Sequence, residues 1–271
     1  MPDVIRAIIP CGGKGTRMAT LTGGHAKELI PVAGTPLLLW VLGECAASGV
    51  EEVLVVAAPH KQDVIDVARA AAGKPDMPRH IDTVIQREPR GLADAIRHGV
   101  RFVGNEPFCV ALPDNLFIAD KPALRQLIDA HRKTDKNVVA VVELFPEDAD
   151  RAGPTAIFPG SLDGDLYEID DIPSKGARGS TFDLKGATSG FTGVGRYVFL
   201  PGELFPAIDE VEKSLIAGAE LDDVPVMQLL LERGRLVGRR IVGEFLDVGL
   251  PVGYREANER LAVNQQPRFA R

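Results

Sequence analysis

Short continuous apolar runs alternate with amphipathic stretches through the first half of this chain. Val4–Pro10 is an Ile-rich run of strand length, and Val53–Ala57, Ile81–Ile85, Phe108–Leu112 and Asn137–Leu144 repeat that signature. Between them, Leu37–Ala47, Gln62–Ala72, Leu92–Arg101 and Pro122–Lys133 carry apolar positions at helical spacing. Thr35-Pro36 reads as the N-cap and first residue of the first helix, with Gly49 just past its end. Strands apolar on both faces, each followed by a helix, predict an α/β fold built on a doubly wound, mostly parallel sheet. Ligands of such sheets sit beyond the carboxyl ends of the strands. The loops after Pro10, Ile85 and Leu112 are therefore the places to look for chemistry.

The second half is less regular. Gly153–Asp171 reads as a β-rich excursion with turns at Pro159-Gly160 and Asp163-Gly164, and Asp171–Ser189 as an exposed loop rich in Gly, Ser, Lys and Asp. Val194–Leu200 and Leu236–Val242 are strand-like, whereas Val224–Glu232 and Pro251–Val263 are helical. There is no internal repeat. The pattern predicts one domain over residues 1–271, with a first half (1–145) of regular βα units and a second half (146–271) ending in a helix.

Composition narrows the function. The 271 residues carry a net charge of −7, which disfavours sequence-independent nucleic-acid binding, since that needs a basic face. Cys11, Cys45 and Cys109 are odd in number and unpaired in spacing, so they predict neither a disulfide framework nor a zinc site. The opening Met-Pro-Asp-Val-Ile-Arg lacks the pattern of a signal peptide, and no apolar run approaches the roughly 20 residues that span a bilayer. The expected location is the cytoplasm.

After the first strand comes Pro10-Cys11-Gly12-Gly13-Lys14-Gly15-Thr16-Arg17. Glycines allow a tight turn whose N–H groups point at an anion, and Lys14, Arg17 and Lys27 add positive charge, which suits a triphosphate. By itself the stretch also fits a plain strand-to-helix turn with solvated basic residues. It is not a Walker A loop, because Gly13-Lys14 is followed by Gly15, and not a dinucleotide fingerprint, because Met18 stands at the third glycine position.

The phrase Gly12–Met18, then Lys27-Glu28-Leu29-Ile30-Pro31-Val32, then Gly34-Thr35-Pro36-Leu37-Leu38 resembles the opening signature of the sugar-1-phosphate nucleotidyltransferases, also called nucleotide-sugar pyrophosphorylases. The resemblance implies a Rossmann-like sheet with a β-rich sugar-binding insertion, and Mg²⁺-dependent transfer of a nucleotide to a sugar 1-phosphate with release of pyrophosphate. Gly12, Gly13, Gly15 and Thr16 would then wrap the triphosphate. Arg17 and Lys27 would be the catalytic cations, the first at the leaving pyrophosphate and the second beside the reacting phosphates. Gln86, in Gln86–Ala95, would read a pyrimidine edge, since an amide donates and accepts together. Gly91 would approach the base. Asp114 and Asp247, in Leu112-Pro113-Asp114-Asn115 and Leu246-Asp247-Val248-Gly249, would hold the metal. Gly153, Asp171, Gly193, Val194 and Glu220 match sugar-phosphate positions. A homo-dimer or tetramer is implied as well.

One landmark departs. Where the family usually carries E-K-P, this chain has Asp171-Ile172-Pro173, and Lys175 or Lys185 in the adjoining loop could supply the missing charge. UTP and glucose 1-phosphate are the favoured substrates, dTTP next. A purine triphosphate or a cyclitol-like phosphate is the alternative, and a non-catalytic nucleotide-sugar sensor a remote one.

Overall fold

The computed structural model of the chain describes residues 3–13, 15, 18, 23–144, 156–159, 164–172, 190–216 and 218–262. Lys14, Thr16, Arg17, Gly153, Lys175 and Lys185 lie outside the described residues.

The apolar runs become the strands of one mixed sheet. They are β1 (Arg6–Cys11), β4 (Glu52–Ala57), β5 (His80–Ile85), β6 (Phe108–Ala111), β8 (Asn137–Leu144), β9 (Ala156–Pro159), β10 (Leu166–Asp171), β11 (Gly190–Phe199) and β12 (Leu236–Arg240), with β2 (Pro31–Val32), β3 (Thr35–Pro36), β7 (Asn115–Ile118) and β13 (Glu244–Asp247) forming two small ribbons. The nine-stranded order is β5-β4-β1-β6-β11-β8-β12-β10-β9. From β5 to β6 all neighbours are parallel. Beyond β6 the sheet is mixed, since β11 runs antiparallel to both β6 and β8 while β12 is parallel to β8.

The helices are α1 (Leu37–Ala47), α2 (Gln62–Ala71), α3 (Leu92–Arg97), α4 (Val100–Val103), α5 (Ala123–Thr134), α6 (Pro201–Ser214), α7 (Asp223–Glu232) and α8 (Pro251–Ala262). In α2 the residues Val64, Ile65, Ala68 and Ala71 form one buried stripe at helical spacing. α5 ends where Asp135 adopts a left-handed conformation (φ 55°), with His131, Arg132 and Lys133 in its last turn, where cations oppose the helix dipole. α1 is buried over most of its surface, Glu44 included, which makes it a core helix.

Several boundaries differ from the sequence reading. Thr35-Pro36 is not an N-cap with a first helical residue but the short strand β3, with Pro36 preceding the helix. Leu92–Arg101 is not one helix: it breaks at His98–Gly99 into α3 and α4, and a Cβ at Gly99 would lie 2.3 Å from Ile8 Cδ1. α6 and the ribbon of β7 with β13 have no counterpart in the predicted elements. Among the described residues no helix is long and apolar enough to cross a membrane.

Candidate active site

The carboxyl ends of β1, β5 and β6 open onto a cavity of about 440 Å³. Its walls include Gly12, Gly13 and Gly15 after β1, Lys27 from the turn before β2, Gln86 and Gly91 after β5, Asp114 after β6, and Glu220, Asp222 and Gly249 from later loops. Three loops singled out by strand topology therefore share one space.

The two predicted metal aspartates are brought together by the ribbon. β13 pairs with β7 so that Asp247 lies opposite Asn115, and the Val248 N–H donates to the Asp114 carbonyl at 2.8 Å. Their carboxylates converge. A Cβ on Gly249 would sit 3.0 Å from Asp247 Oδ1 and 3.1 Å from Asp114 Oδ2, so a side chain there would crowd both. The Gly249 N–H holds Asp247 Oδ1 at 3.0 Å. Lys27, on the short 3₁₀ turn Lys27–Leu29, donates from Nζ to Asp114 Oδ2 at 2.5 Å. Burial works to lower the Lys27 pKa, but the charge and hydrogen bond of Asp114 outweigh it and hold the ammonium above the usual lysine range. Two carboxylates converging from two loops give oxygen donors suited to a hard divalent cation. Among the described residues no group of three or more His, Cys, Asp or Glu side chains is placed so that it could hold a metal ion.

The loop carrying Asp114 is anchored from below. Arg196, fully buried on β11, donates to Glu44 Oε2 at 2.8 Å and to the carbonyls of Leu112 and Asn115 at 2.8 and 2.7 Å. Its guanidinium lies 5.1 Å from the Phe117 ring centre. Five donors in a rigid fork can satisfy a carboxylate and two carbonyls together.

Gln86 is buried, and its Nε2 donates to Asp94 Oδ2 at 2.8 Å and to the Gly91 carbonyl at 3.2 Å. Both amide hydrogens are thus used inside the protein. Oε1 makes neither bond, and it occupies the space a Cβ on Gly12 would need, at 2.2 Å. Gly91 has φ +114° and would place a Cβ 2.3 Å from the Leu221 carbonyl. Only glycine fits there. The Leu221 carbonyl accepts from Ala93 N–H at 3.1 Å, and Leu221 N–H donates to Arg90 O at 2.6 Å. The segment holding Glu220 and Asp222 is thereby stitched to the Gln86 loop.

The remaining expected residues are scattered. Glu220 lines the cavity, whereas Asp171, Gly193 and Val194 are absent from its walls. Val194 is buried in the core on β11. Ile172, at the departure from E-K-P, is 1% exposed and packs in the core, so the change of residue type follows its burial. The three cysteines are buried, and burial pushes each thiol pKa up. They are poor nucleophiles. Glu28, Lys61, Glu44, Arg196, Asp94 and Asp222 surround or support the site without having been singled out as site residues. Glu28 and Asp94 stood inside motifs quoted above, but the partner of Glu28, Lys61, is 33 positions away.

The nucleotidyl transferase family model matches residues 6–264. A Bacillus subtilis (strain 168) protein provisionally named a UTP–glucose-1-phosphate uridylyltransferase is 33% identical over 268 residues, covering 92% of this chain and 93% of that protein. A Staphylococcus epidermidis UTP–glucose-1-phosphate uridylyltransferase is 28% identical over 272 residues, covering 94% of this chain and 91% of its own length. The crystal structure of a UDP-glucose pyrophosphorylase complexed with UDP-glucose superposes with a TM-score of 0.82 at 25% identity, over 97% of this chain and 100% of that one.

Proposed function

The chain belongs to the nucleotidyl transferase family, and on that premise we propose that it joins UTP to glucose 1-phosphate, forming UDP-glucose and releasing pyrophosphate. The observation that carries this reading is the convergence of Asp114 and Asp247 on one point at the rim of a cavity walled by the glycine loop.

In the reaction a phosphate oxygen of the sugar phosphate attacks the α-phosphorus of the triphosphate. The new P–O bond forms as the bond to the β-phosphate oxygen breaks, and the electron pair leaves with pyrophosphate. Two polyanions must meet, so the protein has to supply alignment and positive charge. Asp114 and Asp247 would hold Mg²⁺, which when bound would supply positive charge to offset that of the phosphates. Lys27 stays charged at neutral pH and stands beside Asp114, where its ammonium would neutralise the reacting phosphates. Arg17 and Thr16, with Gly12, Gly13 and Gly15, would take the triphosphate. Gly153, Asp171, Gly193, Val194 and Glu220 are proposed for the sugar phosphate. A phosphate monoester is already a competent nucleophile, so no general base is required.

Gln86 sets the base preference through its acceptor oxygen. With its hydrogens held by Asp94 and Gly91, it would accept from a base N–H. Uracil and thymine offer that donor at N3, whereas adenine and cytosine present an acceptor at the corresponding edge. Leu92 and Ala95 in the same wall leave apolar surface for the base. Because buried Ile172 supplies no cation to the acceptor, the acceptor panel should include cyclitol-like phosphates beside glucose 1-phosphate.

The test is pyrophosphate release with ATP, GTP, CTP, UTP and dTTP against that panel, with and without Mg²⁺. UTP with glucose 1-phosphate should be fastest, and the reaction should stop without the metal. Strong preference for ATP or CTP would overturn the Gln86 argument, and no release with any pair would overturn the enzyme reading. Cytoplasmic location and a homo-dimer or tetramer belong to the same reading, and sedimentation velocity measures the latter.

A further inference from the structure

Lys61 stands at the start of α2 and is buried, with 5% of its side chain exposed. Its Nζ reaches forward under the glycine loop. It donates to the carbonyl of Cys11 at 2.8 Å, to the carbonyl of Gly13 at 2.7 Å, and to both carboxylate oxygens of Glu28 at 2.9 Å. Glu28 is itself buried and follows Lys27 directly on the 3₁₀ turn.

A buried lysine is costly unless its charge is matched and its donors are used. Here the carboxylate matches the charge, and the carbonyls use the remaining donors. What those carbonyls would otherwise do is the key point. The glycine loop walls the cavity. A carbonyl oxygen turned into that cavity would present a negative dipole end to a polyanion. In a trans peptide the N–H points opposite to the carbonyl, so holding the Cys11 carbonyl down on Lys61 aims the Gly12 N–H away from it.

We propose that Lys61 is a positioning residue for the phosphate cradle: its ammonium holds the Cys11 and Gly13 carbonyls back from the cavity, so that the glycine loop meets a triphosphate with N–H groups rather than oxygens. Glu28 is the counter-charge that lets this lysine stay buried. The inference deepens the function proposed above and rests on it. Lys61 touches no substrate in this scheme, and its effect reaches the nucleotide only through the loop.

A variant of Lys61 alone would leave Glu28 buried and unmatched, which confuses folding with binding. The double variant Lys61→Met with Glu28→Gln removes both charges and releases both carbonyls. Three quantities are measured on it and on the unaltered protein: thermal unfolding, UTP affinity by calorimetry in Mg²⁺, and KM for each substrate. The expected result is cooperative unfolding close to that of the unaltered protein. The Kd and KM for UTP should rise by roughly tenfold, as for the loss of hydrogen bonds from a charged group, while KM for glucose 1-phosphate stays within about twofold.

A folded double variant whose UTP affinity lies within about twofold of the original overturns the proposal, and so does an equal rise in both KM values. Glu28→Gln alone leaves Lys61 buried without its counter-charge, so its thermal unfolding midpoint should fall and its UTP affinity with it. A Glu28→Gln protein that matched the unaltered protein in both would show that Lys61 needs no counter-charge, and would overturn the proposal even if the double variant failed to fold. Unaltered protein that neither binds UTP nor releases pyrophosphate would count against the enzyme reading itself, before any variant is compared.

Discussion

Two lysine–carboxylate pairs flank the glycine loop, one under it and one at its mouth. Lys61 and Glu28 have 5% and 0% of their side chains exposed, whereas Lys27 and Asp114 have 20% and 18%. The chemistry of the partners is the same, but the surroundings are not. Below the loop the ammonium is fully committed, to a carboxylate and two carbonyls, and low polarity makes every one of those bonds hard to break. At the mouth the ammonium meets one aspartate, on a wall of the open cavity. Such a pair can exchange partners: Lys27 can turn to a phosphate, and Asp114 to a cation. Burial thus separates a pair suited to holding shape from a pair suited to chemistry.

The largest effect should come from breaking the sealed pair on one side only. Lys61→Met leaves the Glu28 carboxylate buried without its cation, and should lower unfolding free energy by about 3–5 kcal/mol in a urea titration. A loss below about 1 kcal/mol would show that water reaches Glu28 and that the pair is not sealed.

Next comes Lys27→Met. Its stability should stay within about 1 kcal/mol of the original, since the pair is partly exposed. Its kcat for pyrophosphate release should fall by about two to three orders of magnitude. If stability collapsed while turnover survived, the contrast between the two pairs would be reversed.

Gly249→Ala probes the open side more gently. The added methyl would stand 3.0 and 3.1 Å from the two carboxylates and push them apart by a few tenths of an ångström. The Mg²⁺ concentration for half-maximal activity should rise about tenfold, with little change at saturating metal. An unchanged metal requirement would separate Asp114 and Asp247 from the cation.

The smallest effect is expected at a residue that belongs to neither pair. Glu212 on α6 accepts from Arg97 at 2.5 Å and from Arg90 at 2.9 Å, and these bonds, the Arg97 bond foremost, hold its pKa below the usual glutamate value against a weaker pull from burial. A depressed carboxylate stabilises the fold above its unfolded pKa and loses that contribution as pH falls through the folded one. Glu212→Gln should therefore cost at most about 1 kcal/mol at pH 7. The gap from the original protein should close as the solution is acidified below the normal glutamate range. A gap that persisted in acid would mean that Glu212 acts through packing.

Much of the fold was legible because its signals are local. The strand runs of β1, β4, β6 and β8 and the helical stripes of α2 and α5 are each written within a few residues, where backbone geometry and side-chain period coincide. Elements that broke a local rule were lost. α6 carries Pro206 in its interior, and β7 (Asn115–Ile118) and β13 (Glu244–Asp247) each begin on a polar residue, without the unbroken apolar run of the equally short β6. The site divides in the same way. The glycine loop, Lys27 and Asp114 stand in compact phrases of the sequence. Gln86 was visible too, but its hydrogen-bonding capacity was not, because Asp94 takes one of its hydrogens only once α3 has formed.

The sequence by itself determined the layered α/β architecture, the sheet edge where a ligand belongs and the family of the chain, because these depend on periodicity and on contiguous motifs. Only the tertiary structure decided that Asp247 meets Asp114, that Glu44 meets Arg196 across 152 positions, and that Lys61 closes on Glu28 beneath the loop. A charge is printed in the sequence, but its partner and its exposure are not. Those follow from how distant segments pack, and they separate the ion pair that holds the cradle from the one that faces the cavity.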